Sequence, residues 1–307
     1  MDSVRSFIPM RTGILTLALL AGTLFGAEPP RLAAHVVVLG FDGMSPNGVE
    51  QAKTPVMHDL MKQGAYTLHA RGVIPTVSSP NWASMIMGAG PAEHGVTSND
   101  WKPDRFEIAP ICKGDGGIFP TIFDLLHQQR PRAVAGVFHD WEDFARLLNR
   151  NSVAVLEHGK GPDETLDKAL AWMRANKPDL TFIHFDHVDE AGHKFGHGSP
   201  EYYKAVEKAD ALVAKVLQAL REAGMANDTI VLVTADHGGV GTKHGGSTMA
   251  EIEIPWILSG PGVRKGLELK THVRTYDTAA TLAHILGVKP SACWLGKPVT
   301  EAFPSGR

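Results

Sequence analysis

The sequence predicts an α/β fold: a doubly wound, mostly parallel sheet with helices on both faces. Three observations predict it. Short, nearly continuous apolar runs recur along the chain, as strands buried on both faces require. Helical stretches lie between them, and that alternation implies right-handed crossovers within one sheet. No repeat, low-complexity tract or linker divides the chain, so a single domain is expected over residues 28–307.

The first run, His35-Val36-Val37-Val38-Leu39-Gly40-Phe41, is the first strand. Thr54-Pro55 supplies a cap and a first-turn proline for a helix to about Lys62, which Gly64 stops. Ser78 precedes a helix running through Met87 and can serve as its N-cap. Further buried strands are expected over residues 133–138, 153–156, 180–185, 230–234 and 254–258, with helices over 121–129, 163–176, 200–223 and 278–286. The longest helix has the fullest support. Ser199 caps it, Pro200 suits its first turn, and Val206, Ala209, Val213, Val216, Leu217 and Leu220 form one stripe. Gly224 fits just past its end.

Composition narrows the functional classes. With 30 basic against 33 acidic residues the net charge is −3, which argues against a binder of nucleic-acid duplexes. Two cysteines cannot build a Cys-rich zinc module or a disulfide scaffold, whereas 15 histidines exceed the usual share and hint at metal chemistry. Arg5 and Arg11 flank the start of a short apolar run that ends in Gly26-Ala27. Residues 1–27 therefore read as a secretory signal peptide, the run being shorter than the ~20 residues of a membrane span. Bulky Phe25, third before that cut, leaves an uncleaved N-terminal anchor as the alternative. Either way the domain is exported, to a periplasmic or extracellular space where Cys112 and Cys293 can pair.

In open α/β sheets, ligands bind beyond the carboxyl ends of the strands. Asp42 follows the first apolar run, Asp186 and Asp189 follow the run ending at Phe185, and Asp236-His237 follow the run ending at Ala235. A lone aspartate in such a place is ordinarily a cap or turn residue, and a lone histidine is ordinarily solvated or satisfied. Several together repel one another unless some are protonated or a cation sits between them. Mixed carboxylate and imidazole donors suit zinc and related first-row metals better than calcium or magnesium. Asp189 and His193, four apart, can close on one ion, and His244 lies seven residues after His237 across a glycine-rich stretch. Ser78 at a helix N-terminus sits where the dipole favours an alkoxide or a phosphate.

These residues occur as an ordered set: Asp42-Gly43, Pro75-Thr76-Val77-Ser78-Ser79-Pro80-Asn81, Glu93-His94-Gly95-Val96 with Asn99, Asp189-Glu190-Ala191-Gly192-His193, and Thr234-Ala235-Asp236-His237-Gly238. The set resembles the alkaline phosphatase superfamily, most closely its nucleotide pyrophosphatase/phosphodiesterase branch, from residue 35 to about 300. The resemblance implies an alkaline-phosphatase-like core and two zinc ions. It assigns one ion to Asp42, Asp236, His237 and the oxygen of Ser78, and the other to Asp189, His193 and His244. It makes Ser78 the nucleophile, and Asn99, with the backbone N–H after the nucleophile, the holder of a nonbridging phosphoryl oxygen. A sulfatase of the superfamily would carry an arginine where Trp82 stands.

The implied activity is two-zinc hydrolysis of phosphodiester or pyrophosphate bonds in a small phosphate ester, possible substrates including nucleotides, through a phosphoseryl intermediate. A phosphomonoesterase or phosphonate hydrolase is the alternative, and for it Lys102 or Lys243 would supply the extra cation. A metal-binding protein without turnover is the rival from another class. Any cap over the site would come from residues 101–120 and 160–178, and Trp82 and Trp101 are candidates for stacking on a leaving group. Asp186 is expected beside the site without being a ligand, and His197 as a loop-packing residue.

Overall fold

The structure, a computed structural model, describes residues 1–2 and 30–304, so the apolar segment read as a signal peptide lies outside the described residues. Eight strands among the described residues form one sheet: β1 (His35–Phe41), β2 (Gly64–Arg71), β3 (Ala135–His139), β4 (Val155–His158), β5 (Leu180–Phe185), β6 (Thr229–Thr234), β7 (Glu253–Ser259) and β8 (Leu267–Glu268). Their order is β4-β3-β5-β1-β6-β7-β2-β8. Every neighbouring pair is parallel except those made by β7, which runs against both β6 and β2. The sheet is thus mixed and mostly parallel.

β1 is central and fully buried from Val36 to Phe41. It lies between β5 and β6, with Gly40 paired to His184 on one side and Thr234 on the other. Helices Pro55–Gln63, Pro162–Asn176 and Pro200–Glu222 pack together on one face, and Ser78–Met87, Ile122–Gln129 and Asp277–Leu286 on the other. The expected stripe of the long helix is buried at Val206, Ala209, Val213, Val216 and Leu220, and Ser199 Oγ accepts the Tyr202 N–H at 3.1 Å as its cap.

Two expectations change. Gly64 does not simply stop a helix: it opens β2, whose mixed sequence GAYTLHAR has no continuous apolar run to announce a strand. Thr54 does not cap the helix Pro55–Gln63 either. Its hydroxyl donates to the Val49 carbonyl at 2.7 Å, and Asp210 of the long helix accepts the Val56 and Met57 N–H groups at 3.2 and 2.8 Å. The cap is supplied from a neighbouring helix, a long-range arrangement that local sequence does not display. Cys112 and Cys293 form a disulfide across 181 residues, tying the 101–120 loop to the C-terminal segment.

Candidate active site

The parallel trio β5-β1-β6 delivers the acidic residues to one edge of the sheet. Asp42 leaves the end of β1, and Asp236 and His237 leave the end of β6. β5 runs into the helix His187–Phe195, which carries Asp189 and His193 one turn apart. The loop after β6 returns His244 to the same place. Gly43 makes the close approach possible: its φ is +66°, and a Cβ there would stand 2.6 Å from Asp189 Oδ1. Ser78 is the first residue of its helix, with Val77 in the cap position, so the hydroxyl sits at the helix N-terminus without capping it.

All the sequence-predicted ligands converge. Ser78 Oγ lies 3.5 Å from Asp42 Oδ1 and 3.4 Å from His237 Nε2. His237 Nε2 is 3.3 Å from Asp42 Oδ1 and 3.2 Å from Asp236 Oδ2. His193 Nε2 is 3.0 Å from Asp189 Oδ2 and 3.1 Å from His244 Nε2. The rings of His237 and His244 stack at 3.8 Å. Among the described residues, two groups have donor atoms close enough to hold one ion: Asp189, His193 and His244, and Asp42, Asp189 and His237. Asp189 belongs to both and stands between them.

Hydrogen bonding settles which face each imidazole turns inward. The Nδ1 atoms of His193, His237 and His244 lie 3.0, 2.8 and 2.8 Å from the carbonyls of Thr242, Gly238 and Thr76. A carbonyl only accepts, so each Nδ1 carries the proton and each Nε2 presents a lone pair to the cluster. In the neutral rings two such lone pairs, on His193 and His244, then face each other at 3.1 Å, a contact that calls for a proton or a cation between them. Asp189 Oδ1 and Asp236 Oδ2 are buried without hydrogen-bond partners. Burial, then the charges of Asp42 and Asp189, push the Asp236 carboxyl well above its usual range. Without a cation between His193 and His244, a proton takes that place: the hydrogen bond to Asp189 pushes the His193 imidazole up to about 9. Orphaned carboxylate oxygens and converging imidazole lone pairs are a donor set that fits divalent cations.

A buried shell that sequence reasoning missed holds Asp42. Burial opposes its ionisation, but the hydrogen bond and charge of His184 and the Trp82 indole N–H together keep it ionised, below the ordinary carboxylate range. Trp82 donates to Asp42 Oδ2 at 2.9 Å, and His184 Nε2 lies 3.3 Å from the same oxygen. His184 Nδ1 is 3.5 Å from Asp140 Oδ1. Despite burial, these two carboxylates hold His184 up at about 9. Trp82 is fully buried, its ring filling the space that a side chain at Gly40 would need, 2.6 Å from the ideal Cβ. It is therefore a support for Asp42 and not a platform for a leaving group.

The other expected roles sort as follows. Asn99 lies beside the Ser78–Ser79 turn, its Oδ1 accepting the Ser79 N–H at 2.8 Å; that backbone N–H, expected to join Asn99 on a phosphoryl oxygen, is thus taken up within the turn, and the Asn99 Nδ2 is the donor left over. Burial, then the charge of Asp42, raises Asp186 to about 8. His197 is buried in a slot between Gly192 and Gly239, and Trp101 is only 5% exposed. Lys102 and Lys243 are exposed, and among the described residues a cation that reaches the Ser78–Ser79 turn is Arg146, which no motif announced. Residues 160–178 form no cap, because the helix Pro162–Asn176 packs on β3 and β5. The 101–120 loop does stay outside the sheet layers, and its start, Trp101, Arg105, Phe106 and Glu107, lines a cavity of about 520 Å³ with Thr97, Ser98 and Asp100.

Residues 36–253 match the sequence model of the type I phosphodiesterase / nucleotide pyrophosphatase family. The chain belongs to this family. Human bis(5′-adenosyl)-triphosphatase, a relative, is 25% identical over 249 residues, covering 73% of this chain and 52% of that protein. Human ectonucleotide pyrophosphatase/phosphodiesterase family member 5 is 22% identical over 229 residues, covering 72% and 48%. The chain thus spans about half the length of the curated relatives it matches. Among solved structures, mouse family member 5 in an inactive form with AMP superposes with a TM-score of 0.73 at 17% identity, over 88% of this chain and 100% of that one. A variant of the alkaline phosphatase PafA gives a TM-score of 0.74 at 13% identity, over 90% and 99%. The core therefore has the alkaline-phosphatase-like fold.

Proposed function

We propose that this protein is an exported, metal-dependent hydrolase that cleaves phosphodiester or pyrophosphate bonds with Ser78 as nucleophile. One observation carries the reading most directly: Ser78 Oγ stands at a helix N-terminus within 3.5 Å of Asp42 and His237, in a cluster where Asp189 Oδ1 and Asp236 Oδ2 are buried without hydrogen-bond partners. Two zinc ions fit that donor set. Asp42, Asp236, His237 and Ser78 would hold one, and His193 and His244 the other, with Asp189 within reach of both. When bound, such ions neutralise the carboxylates and lower the pKa of a hydroxyl beside them.

Ser78 Oγ, as its alkoxide, attacks phosphorus in line with the leaving oxygen. The bond from phosphorus to that oxygen breaks and the leaving group departs. A water then displaces Ser78 from the phosphoseryl intermediate, which restores the hydroxyl and releases the phosphoryl product. Asn99, fixed by the Ser79 N–H, donates from Nδ2 to a nonbridging oxygen, where negative charge builds during transfer.

A nucleotide substrate is supported by the AMP bound to mouse family member 5 and by the triphosphatase named among the relatives. Export is supported by the basic and apolar N-terminus and by the Cys112–Cys293 disulfide. No helix among the described residues is long and apolar enough to cross a membrane. Zinc-loaded protein assayed on bis(4-nitrophenyl) phosphate tests the reading. Turnover by wild type that Ser78→Ala abolishes, with zinc still bound, is the expected result. Undiminished turnover by Ser78→Ala would remove Ser78 from the chemistry, and tight zinc binding without any turnover would make this a metal-binding protein.

A further inference from the structure

Arg146 enters the site from the two-turn 3-10 helix Glu142–Leu147 that follows β3. Its side chain is only 16% exposed. The guanidinium donates to the Asn99 backbone carbonyl and reaches the Ser79 hydroxyl at 3.4 Å. Asn99 is the residue expected to meet a nonbridging phosphoryl oxygen, and Ser79 directly follows the nucleophile. Arg146 therefore touches the two residues that border the position of the phosphoryl group. Its Nε is buried and without a hydrogen-bond partner. Among the described residues its ion-pair partner is Asp143, at 2.9 Å and 46% exposed, so solvent weakens the neutralisation on that side. The structure thus holds a nearly buried cation, incompletely paired, beside the nucleophile.

Resting on the phosphoryl-transfer reading above, we propose that Arg146 sets the charge preference of the site, favouring phosphoryl groups that carry two negative charges. A phosphate monoester has two ionised oxygens at neutral to alkaline pH, and a diester has one. The fixed positive charge near the nonbridging oxygens contributes more to the former. A charge-assisted hydrogen bond in such a place is worth about 1.5–3 kcal/mol, or ~10-fold to ~100-fold in a rate or affinity. Phosphate monoesters, including those released by a diesterase, become substrates of the same centre.

The test compares zinc-loaded wild type with Arg146→Gln and Arg146→Lys on 4-nitrophenyl phosphate and bis(4-nitrophenyl) phosphate, with calorimetric titration of inorganic phosphate alongside. Arg146→Gln is expected to lower the monoester-to-diester ratio of kcat/KM by ~10-fold to ~100-fold and phosphate affinity by a similar factor. Arg146→Lys, which keeps the charge and loses the fork, restores part of both. Equal losses on the two esters, or phosphate affinity unchanged in Arg146→Gln, would overturn the proposal and leave Arg146 a brace for the Asn99 loop. If zinc-loaded wild type turns over neither ester, the hydrolase reading fails, and the phosphate titration still decides the charge preference.

Discussion

Replacing Trp82 with Phe isolates the support of Asp42. The indole N–H donates to Asp42 Oδ2 at 2.9 Å, and both side chains are buried. Phenylalanine keeps an aromatic ring against Gly40 and Phe182 but offers no donor. Losing a hydrogen bond to a buried carboxylate costs about 1.5–3 kcal/mol, and the smaller ring leaves a void worth about 1 kcal/mol more. A total near 3 kcal/mol is expected, because His184 stays beside the same oxygen and limits the loss. With one of its two anchors gone, Asp42 is less firmly oriented toward Ser78 and His237, and zinc affinity should fall about 10-fold to 100-fold. Urea unfolding of the metal-free protein reads the first quantity, and a competitive zinc titration reads the second. A destabilised variant with wild-type zinc affinity would refute the claim that Trp82 orients a ligand, and reduce it to a core residue.

Other consequences are equally direct. Asp189→Asn removes a carboxylate that both candidate groups share, so bound zinc should fall from two ions toward one or none by elemental analysis; retention of both would show that Asp189 is not between them. The fully enclosed His94 supplies a pH test. Burial lowers it from 6.5 to about 3, so it folds neutral while the unfolded chain protonates near 6.5. Its contribution to stability is intact above pH 6.5 and is lost as pH falls from there toward 3. Between pH 7 and pH 5 the loss is about 2 kcal/mol, since each pKa unit is worth about 1.4 kcal/mol. Unfolding of His94→Asn across that range should show a pH dependence shallower than wild type by that amount, and parallel curves would contradict it.

The sequence carried its core strands and its candidate ligands for one physical reason. Strands buried on both faces, such as β1 and β5, are written as continuous apolar runs, and the candidate ligands sit where those runs end. β2 was not legible because it pairs near the sheet edge with half-exposed positions, so its residues alternate without a clear pattern. The support of Asp42 was hidden for a different reason. Trp82 and His184 come from a helix and from β5, Asp140 from the end of β3, and only the packing of a helix on parallel strands brings the first two to Asp42 and Asp140 behind His184. Arg146 was hidden likewise, since nothing local links residue 146 to residues 79 and 99. The histidine tautomers were out of reach as well, because they depend on carbonyls that the folded loops supply.

The central claim is that Ser78 becomes covalently attached to phosphorus during turnover. Acid quenching of the zinc-loaded enzyme while it hydrolyses a phosphate ester, followed by peptide mass spectrometry, tests this most directly. The account predicts phosphate on Ser78 in wild type and none at that position in Ser78→Ala. Sustained turnover with Ser78 unmodified at every quench time, alongside transfer of labelled solvent oxygen straight to the product in a single turnover, would contradict it.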